Sequence, residues 1–318
     1  MVKSRVGSFR GHLTQGLRTM PPHQPVQTYS DDHSLLAWQP PPGACDTHVH
    51  VFGPATRFAY SSSSNLIPVD APKEKLFALH RRLGITRCVI VQSMVHGLDN
   101  RVVSDAIAAG GGCYLGVALV NPEIALADLQ ALAQAGFRGV RFNFTAHLGS
   151  GIDPQAIPAF TERLAQAGLH LQVHFASARI HDLSAPLLQS QVPVVIDHMG
   201  RVDARLGIDQ PDVRQLCTLL ETGRFHVKVS GIDRVDALLP LAQPPYPHGT
   251  ALARHLVERF SQRCLWGTDW PHPNHTHIPD DGVLINAVLA IAPNPADRQA
   301  LLVDNPQALY QFPEHQRA

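Results

Sequence analysis

Two histidines, His48 and His50, stand two residues apart in the apolar run 45–52. Side chains at this spacing point to the same face of a β-strand, so both imidazoles should aim in one direction. Such a pair suits a metal ion or a polarised carbonyl group held at the end of a strand. By itself the spacing is a weak signal, and its meaning depends on the residues that the rest of the chain places beside it.

Further candidates follow later strand-like runs, and all of them are histidines or aspartates. The complete set is His48, His50, His174, His198 and Asp269. Neutral imidazole nitrogens and a carboxylate are the ligands that Zn²⁺ prefers, and a catalytic zinc site keeps one position open for water. A carboxylate can also take a proton from that water. The set therefore predicts a hydrolytic site, with or without a metal ion.

Other chemistries fit the sequence less well. The chain contains no Gly-x-Ser-x-Gly segment, the turn on which many serine hydrolases carry their nucleophile. By strand alternation Cys45 faces away from the two histidines, and it is predicted to be a core residue. Lys228 is predicted to lie buried near a carboxylate. His170 is predicted to be structural, because it lies at the opposite end of its strand from His174.

Eight β-rich runs alternate with longer stretches of helical composition, and these elements must position the candidate residues. The strand candidates are 44–52, 87–92, 114–120, 139–144, 169–175, 193–198, 225–231 and 264–270. The helix candidates are 73–83, 99–109, 123–135, 153–167, 179–190, 211–222, 249–262 and 281–291, with short helices over 295–312 completing the outer ring. Eight alternations over about 270 residues match a (β/α)₈ barrel, or TIM barrel, whose active sites lie at the C-terminal ends of the strands. A doubly wound sheet is the competing fold, but Gly110, Gly111 and Gly112 precede a strand and so form no phosphate loop.

The barrel is predicted to cover residues 43–318, and residues 1–42 to form an irregular N-terminal extension. Of the 318 residues, 44% are hydrophobic and 16% are charged, as in soluble globular proteins. The 26 basic and 26 acidic residues balance, which argues against nucleic acid or a membrane surface as a partner. Five scattered cysteines without Cys-x-x-Cys spacing indicate a reducing compartment, and we expect a cytoplasmic protein.

Five motifs together resemble the amidohydrolase superfamily, and within it the branch of the pyrone-dicarboxylate lactonases. They are Asp46-Thr-His-Val-His-Val-Phe-Gly-Pro, Val-Ile-Val-Gln92, Gly-Val-Arg141-Phe-Asn-Phe, Val-Ile-Asp-His198-Met-Gly-Arg201 and Trp-Gly-Thr-Asp269-Trp-Pro-His-Pro-Asn. The resemblance extends over residues 36–312. It implies a (β/α)₈ barrel that hydrolyses a cyclic ester in the breakdown of aromatic acids.

The resemblance also implies roles for single residues. Asp269 would be the general base, with His48, His50 and His198 around the ester carbonyl. The predicted substrate-binding residues are Arg141, Arg201, Arg234, His147, Gln92 and His96. Arginine suits this task because its planar guanidinium pairs with a carboxylate or sulfonate through two hydrogen bonds.

The sequence departs from the lactonase pattern at three positions. His174 and Leu66 each replace a tyrosine of that pattern, and His147 replaces an arginine. His174 adds an imidazole, which favours a site for one Zn²⁺ or a similar divalent ion. The predicted metal ligands are His48, His50, His174 and Asp269. Catalysis without a metal stays open.

The leading hypothesis is a hydrolase that opens the ring ester of a small anionic lactone. The lactone would be carboxylated or sulfonated, such as 2-pyrone-4,6-dicarboxylate or a sulfomuconolactone. A metal-dependent decarboxylase of an aromatic or enol acid would use the same residues and is the alternative enzyme. An inactive barrel that serves as a binding protein is the alternative of another class.

Overall fold

A computed structural model describes residues 24–145, 152–236, 245–274 and 277–313. Eight parallel strands form one sheet, in which each strand pairs with the next along the chain. The strands are β1 (Cys45–Val49), β2 (Arg87–Val91), β3 (Tyr114–Ala118), β4 (Phe137–Phe144), β5 (His170–Phe175), β6 (Val194–Ile196), β7 (Phe225–Lys228) and β8 (Cys264–Leu265). Every predicted strand is present, so the predicted order of the strands is confirmed.

The sheet closes through the residues that follow β8. The Thr47 N–H of β1 donates to the Trp266 carbonyl at 2.9 Å, and the Asp269 N–H donates to the His48 carbonyl at 2.8 Å. These bonds join the last strand to the first and confirm the predicted (β/α)₈ barrel. They also fix the predicted base beside the predicted histidines.

Helices run between the strands on the outside of the barrel. They are α1 (Lys73–Leu83), α2 (Arg101–Ala109), α3 (Leu126–Gln134), α4 (Ile157–Ala167), α5 (Arg179–Leu188), α6 (Pro211–Glu221), α7 (Ile232–Asp236), α8 (Pro247–Phe260), α9 (Asp281–Asn286), α10 (Val288–Ile291), α11 (Pro295–Gln299) and α12 (Asn305–Tyr310). Gly84 and Gly168 end α1 and α4 in the left-handed conformation, with φ of 69° and 70°, which glycine adopts without strain. The sequence pattern does not predict the short α7, because so few residues give no clear periodicity. Among the described helices, none has both the length and the apolar character needed to cross a membrane.

Buried apolar side chains form a large layer between the helices and the sheet and a smaller layer inside the barrel. The inner layer consists of Cys45, Val89, Val91, Leu115, Val117, Val195, Leu265, Tyr310 and Phe312. Tyr310 ends α12, and its ring packs edge-on against the buried His170 ring, with centroids 5.4 Å apart. The segment 295–312 therefore does more than complete the outer ring as predicted, because its end supplies part of the inner core.

The first strand is irregular where it carries the histidines. Its register against β2 shifts between Asp46 and Val49, so strict alternation of inward and outward side chains does not hold there. Cys45 belongs to the inner layer, and His48 Nδ1 lies 3.3 Å from Lys228 Nζ inside the barrel. Cys45 is thus a buried core residue, as predicted, but the expectation that it faces away from His48 is wrong.

The described part of the N-terminal extension, residues 24–42, packs against the barrel. It contains no helix and no strand beyond a single bridge residue. The Tyr29 ring, only 6% exposed, lies 5.4 Å from the Trp270 ring. Because Trp270 directly follows Asp269, this segment supports the loop that carries the predicted base.

Candidate active site

A cavity of about 360 Å³ opens at the C-terminal ends of the strands. The predicted site residues in its walls are His50, His174, His198, Asp269, Arg141, Arg201 and Arg234. Leu66, which stands in place of a tyrosine of the lactonase pattern, also lines it. His147 lies outside the described residues. Most of the predicted site therefore converges on one cavity, at the end of the barrel where this fold carries its active sites.

The Asp269 carboxylate lies at the centre of the histidines. Its Oδ1 atom is 3.5 Å from His50 Nε2 and 3.6 Å from His48 Nε2. His198 Nε2 is 3.9 Å from the same atom. Oδ2 accepts from Arg234, whose Nε and Nη2 atoms lie 2.6 Å and 2.5 Å away. Oδ1 has no hydrogen-bond partner within the described ranges, so Asp269 presents one paired oxygen and one available oxygen.

Charge and backbone conformation both prepare Asp269 to accept a proton. Burial alone would raise the pKa of Asp269, but the Arg234 guanidinium and the neighbouring histidines hold that pKa well below its ordinary value. The carboxylate is therefore ionised. Asp269 also has φ of 68°, in the left-handed region that aspartate tolerates better than most residues. This turn lets the backbone pair with β1 while the side chain enters the cavity.

The hydrogen bond of His50 determines which of its ring nitrogens carries the proton. Nδ1 is 2.6 Å from the Val91 carbonyl oxygen, which can only accept, so Nδ1 must donate. In the neutral ring Nε2 then carries the lone pair, and this atom faces Asp269 Oδ1 at 3.5 Å. Two electron-rich atoms opposed in a buried site repel each other unless a cation or a proton donor lies near both. This pair of atoms is therefore suited to a metal ion or a catalytic water molecule.

His48 is fully buried behind this pair and belongs to a polar network inside the barrel. Its Nδ1 atom lies 3.3 Å from both Asp197 Oδ1 and Lys228 Nζ. Burial and the Lys228 ammonium lower the pKa of His48 to about 4, so the ring is neutral at neutral pH. Lys228 donates to the Thr47 carbonyl at 2.7 Å and to the Gln172 side chain at 2.9 Å. Its Nζ is 3.8 Å from Asp197 Oδ1, which confirms the predicted burial near a carboxylate.

The chain turns through a strained conformation directly after β6. Four successive residues, 198–201, have positive φ values of 48°, 52°, 65° and 54°. Only Gly200 adopts such a value without cost, and strain of this kind persists where surrounding contacts enforce it, often at functional sites. The turn brings both His198 and Arg201 to the cavity. His198 Nδ1 lies 3.0 Å from the Ser230 hydroxyl, which fixes the ring.

Two groups of buried side chains among the described residues place metal-ligand atoms within 4.8 Å of one another. One group is His48, His50 and Asp269, and the other is His48, Asp197 and His198. His174 belongs to neither group, although it lines the cavity and its ring centroid lies 5.8 Å from that of His198. The structure therefore brings three of the four predicted metal ligands together and leaves His174 outside.

The three predicted arginines differ in what they contact. Arg141 Nε donates to Asp197 Oδ2 at 2.8 Å, and Arg234 is bound to Asp269. Arg201 lines the cavity and makes no hydrogen bond or ion pair with any residue that the structure describes. Burial and the like charge of Arg234 lower the pKa of Arg201 to about 10, so Arg201 stays charged at neutral pH. Arg201 is therefore a cation with which an incoming anion can pair without displacing a carboxylate.

Gln92 and His96 do not lie where the sequence predicts, because neither lines the cavity. The Gln92 amide donates to the carbonyls of Gly97 and Asp99 at 3.1 Å and 2.8 Å. His96 Nε2 accepts from the Gly53 N–H at 3.2 Å. Both side chains bind loop backbone, and their assignment to substrate stays a prediction.

Asp197 is the buried site residue that the sequence pattern does not single out. It contacts His48, Lys228 and Arg141, and thereby connects β6 with three other strands. The available signal was Arg141 itself, since a buried arginine on a barrel strand calls for a carboxylate within reach of its guanidinium.

A protein-family model described as amidohydrolase matches residues 45–312, which include all eight strands. The chain belongs to the amidohydrolase family. This match confirms the resemblance that the five motifs carry, and it agrees with the observed barrel.

Relatives of this amidohydrolase match along nearly the whole barrel. It is 39% identical over 274 residues to a 4-sulfomuconolactone hydrolase of Hydrogenophaga intermedia, covering 85% of this chain and 89% of the relative. It is 40% identical over 280 residues to a 2-pyrone-4,6-dicarboxylate hydrolase of Comamonas testosteroni, covering 86% and 92%. A solved Pseudomonas putida structure, provisionally assigned as a 2-pyrone-4,6-dicarboxylic acid hydrolase, is 31% identical with a TM-score of 0.74, covering 86% of this chain and 99% of that one.

Replacing Arg141, which pairs with Asp197, should lower the stability of the fold, whereas replacing Arg201 should not. In Arg141→Met the buried Asp197 carboxylate loses its guanidinium partner, and breaking a buried ion pair costs about 3–5 kcal/mol. In Arg201→Met no ion pair is broken, so the free energy of unfolding should stay within about 0.5 kcal/mol of the unmodified protein, or rise. Chemical denaturation followed by circular dichroism measures both, and equal destabilisation would contradict the pairing described above.

Proposed function

We propose that this amidohydrolase opens the ring ester of a small anionic lactone, carboxylated or sulfonated, in the breakdown of aromatic acids. One observation carries the proposal: a single cavity contains both an ionised Asp269 surrounded by imidazoles and Arg201, which has no ion-pair partner among the described residues. The first arrangement can activate water and an ester carbonyl. The second can hold an anionic substituent of the same molecule.

The relatives support this substrate class. The two hydrolases named for 4-sulfomuconolactone and 2-pyrone-4,6-dicarboxylate share 39% and 40% identity with this chain. Both of those compounds are cyclic esters with anionic substituents, and we extend that class to this chain. The five cysteines are unpaired, which supports a reducing and therefore cytoplasmic location.

In the proposed reaction, Asp269 Oδ1 takes a proton from water, and the water oxygen attacks the ester carbonyl carbon. His198 lies beside the same oxygen and can donate to the carbonyl oxygen on which negative charge develops. The ring carbon–oxygen bond then breaks, and the proton held by Asp269 passes to the departing ring oxygen. The opened product carries a new carboxyl group and a new hydroxyl group. Arg234 keeps Asp269 ionised before the proton transfer.

We further propose that one Zn²⁺ or a similar divalent ion completes the site. Its ligands would be His48, His50 and Asp269, whose ligand atoms lie within 4.8 Å of one another. In the described part of the chain, His48 Nε2 and Asp269 Oδ1 are buried and have no hydrogen-bond partner. Both atoms are therefore available to bind a cation. When bound, such an ion polarises the ester carbonyl and lowers the pKa of water to about 7. His174, whose ring nitrogens also lack partners there, is then a substrate contact.

Replacing Asp269 with asparagine should lower kcat for lactone hydrolysis by about 10²–10⁴, because the shape is kept and the base is lost. Ring opening is measured with purified protein on pyrone, muconolactone, sulfonated muconolactone and sugar lactones. A kcat within a few-fold of the unmodified protein would contradict the role of Asp269.

The same panel separates the alternative functions. Release of CO₂ from an aromatic or enol acid, without ring opening of any lactone, would identify a decarboxylase. Binding of an anionic lactone without any turnover would identify a binding protein.

Replacing Arg201 with methionine should lower kcat/KM for an anionic lactone about a hundredfold, since a lost charge-assisted pair is worth about 2–3 kcal/mol. A neutral ester derivative of the same lactone should react equally well with both proteins. Arg205→Met is a matched control, because Arg205 lies outside the cavity and pairs with Asp203 at 2.9 Å. An equal loss for charged and neutral lactones would argue against Arg201 as the anion site.

Protein purified without chelator should contain about one divalent ion per chain by elemental analysis. Chelation should abolish lactone hydrolysis, and added Zn²⁺ should restore it. His50→Gln should lose the ion, whereas His181→Gln, at a surface histidine paired with Asp212, should retain it. Substoichiometric metal together with full activity after chelation would exclude the ion.

A further inference from the structure

We infer that Asp197 is a positioning residue that fixes the proton of His48 on Nδ1, so that the Nε2 lone pair points towards Asp269. The inference rests on the proposed hydrolytic site and gives a task to a buried carboxylate that takes no part in the proton transfers described above. A neutral imidazole carries one ring proton. The nitrogen that holds it decides whether the other nitrogen can bind a metal ion or accept a proton.

Two groups compete for His48 Nδ1. Asp197 Oδ1 and Lys228 Nζ both lie 3.3 Å from it. If Nδ1 carries the proton, it donates to the carboxylate, and Nε2 is a metal ligand or a hydrogen-bond acceptor. If Nε2 carries the proton, Nδ1 accepts from the ammonium, and Nε2 can only donate. The two cases give the site opposite chemistry next to Asp269.

The state of Asp197 favours the first case. Its Oδ2 atom accepts from Arg141 at 2.8 Å. Its Oδ1 atom is buried, lies 3.3 Å from His48 Nδ1 and 3.8 Å from Lys228 Nζ, and accepts no other hydrogen bond among the described residues. With the proton on Nε2, the Nδ1 lone pair would oppose this anionic oxygen at 3.3 Å. Repulsion between two acceptors is strong where water is excluded, and it weakens with distance. A proton on Nδ1 converts the repulsion into a charge-assisted hydrogen bond. With the proton on Nδ1, the Nε2 lone pair faces Asp269 Oδ1 at the longer distance of 3.6 Å, and the proposed divalent ion would relieve that repulsion.

Lys228 does not require His48 as an acceptor. Its ammonium has three donors, and the shorter contacts are to the Thr47 carbonyl at 2.7 Å and the Gln172 side chain at 2.9 Å. The remaining donor has Asp197 Oδ1 as an anionic acceptor at 3.8 Å. Lys228 and Arg141 therefore hold Asp197 from two sides and keep its carboxylate against His48.

His50 shows the same arrangement on the other ring. The Val91 carbonyl fixes the His50 proton on Nδ1, and His50 Nε2 lies 3.5 Å from Asp269 Oδ1. With the same tautomer, His48 directs a second lone pair to that atom from 3.6 Å. A carboxylate or carbonyl behind the far nitrogen of a metal-binding histidine fixes the ring and raises its basicity. Asp197 thus does for His48 what the Val91 carbonyl does for His50.

The direct test is nitrogen NMR of the full-length protein labelled with nitrogen-15 in its histidine rings, since ring nitrogen shifts report which atom is protonated. The His48 signals are identified by their absence in His48→Gln. We expect His48 to be protonated on Nδ1 in the unmodified protein. In Asp197→Asn the proton should move to Nε2, because the new amide can donate to Nδ1. A His48 ring protonated on Nε2 in the unmodified protein would overturn the inference.

Zinc affinity gives a second readout, measured by competition with a coloured chelator. Asp197→Asn should bind Zn²⁺ about 10–100-fold more weakly than the unmodified protein. Asp212→Asn is the matched control, because it makes the same change in a surface pair, where Asp212 lies 2.9 Å from His181. Equal zinc affinity in a folded Asp197→Asn protein would overturn the inference.

The two readouts keep the inference separate from the proposed function. The NMR result on the unmodified protein decides the tautomer even where Asp197→Asn does not fold. An unmodified protein that opens no anionic lactone would refute the proposed function and leave the His48 tautomer measurable.

Discussion

The hydrogen bond from the Asp269 N–H to the His48 carbonyl, 2.8 Å long, joins the last strand of the barrel to the first. β8 has only two residues, so much of the closure falls on the chain that follows it. The same bond sets the carboxylate of one segment against the imidazoles of the other. Fold and site are therefore completed in one step, because the base meets its histidines only when the barrel closes.

Charge pairing explains why this cluster is chemically ready. Burying a charge is costly unless it is paired, and Asp269 and Asp197 are each held by an arginine. Burial lowers the pKa of His48, His174 and His198, so these rings stay neutral and can act as ligands, donors or acceptors. The cavity thus combines ionised carboxylate, neutral imidazole and one guanidinium without a partner in the described ranges. That combination favours a substrate which brings its own negative charge.

Much of the fold and the centre of the site could be predicted from the sequence, because both follow short-range rules. Alternating strand and helix composition predicted the barrel. The rule that active sites lie at the C-terminal ends of the strands predicted that His198 and Asp269 would meet there, and both line the cavity. The register shift in β1 could not be predicted, because it depends on how β1 pairs with its neighbours. Gln92 and His96 do not line the cavity, and a polar residue at a strand end can bind loop backbone as well as a ligand.

Distances between side chains on different strands also could not be predicted from the sequence. His174 lies at the end of its strand, as His50 does, yet it belongs to neither group of converging ligand atoms. The distance from His174 to those atoms depends on how the strands pack around the barrel, and no local sequence pattern encodes that distance. Asp197 was hidden for a related reason, because its importance comes from contacts with Arg141 and Lys228 on other strands. The assignment of His147 to substrate stays a prediction.

Tyr310 and Phe312 belong to the inner layer of the barrel but follow all eight strands in the chain. During synthesis, a ribosome-bound chain that has already emerged through β8 still lacks these two rings. The interior beneath His170 then remains unfilled at one end. The barrel can therefore reach its final packing only after the segment that follows β8 has folded back and placed these two rings in the interior.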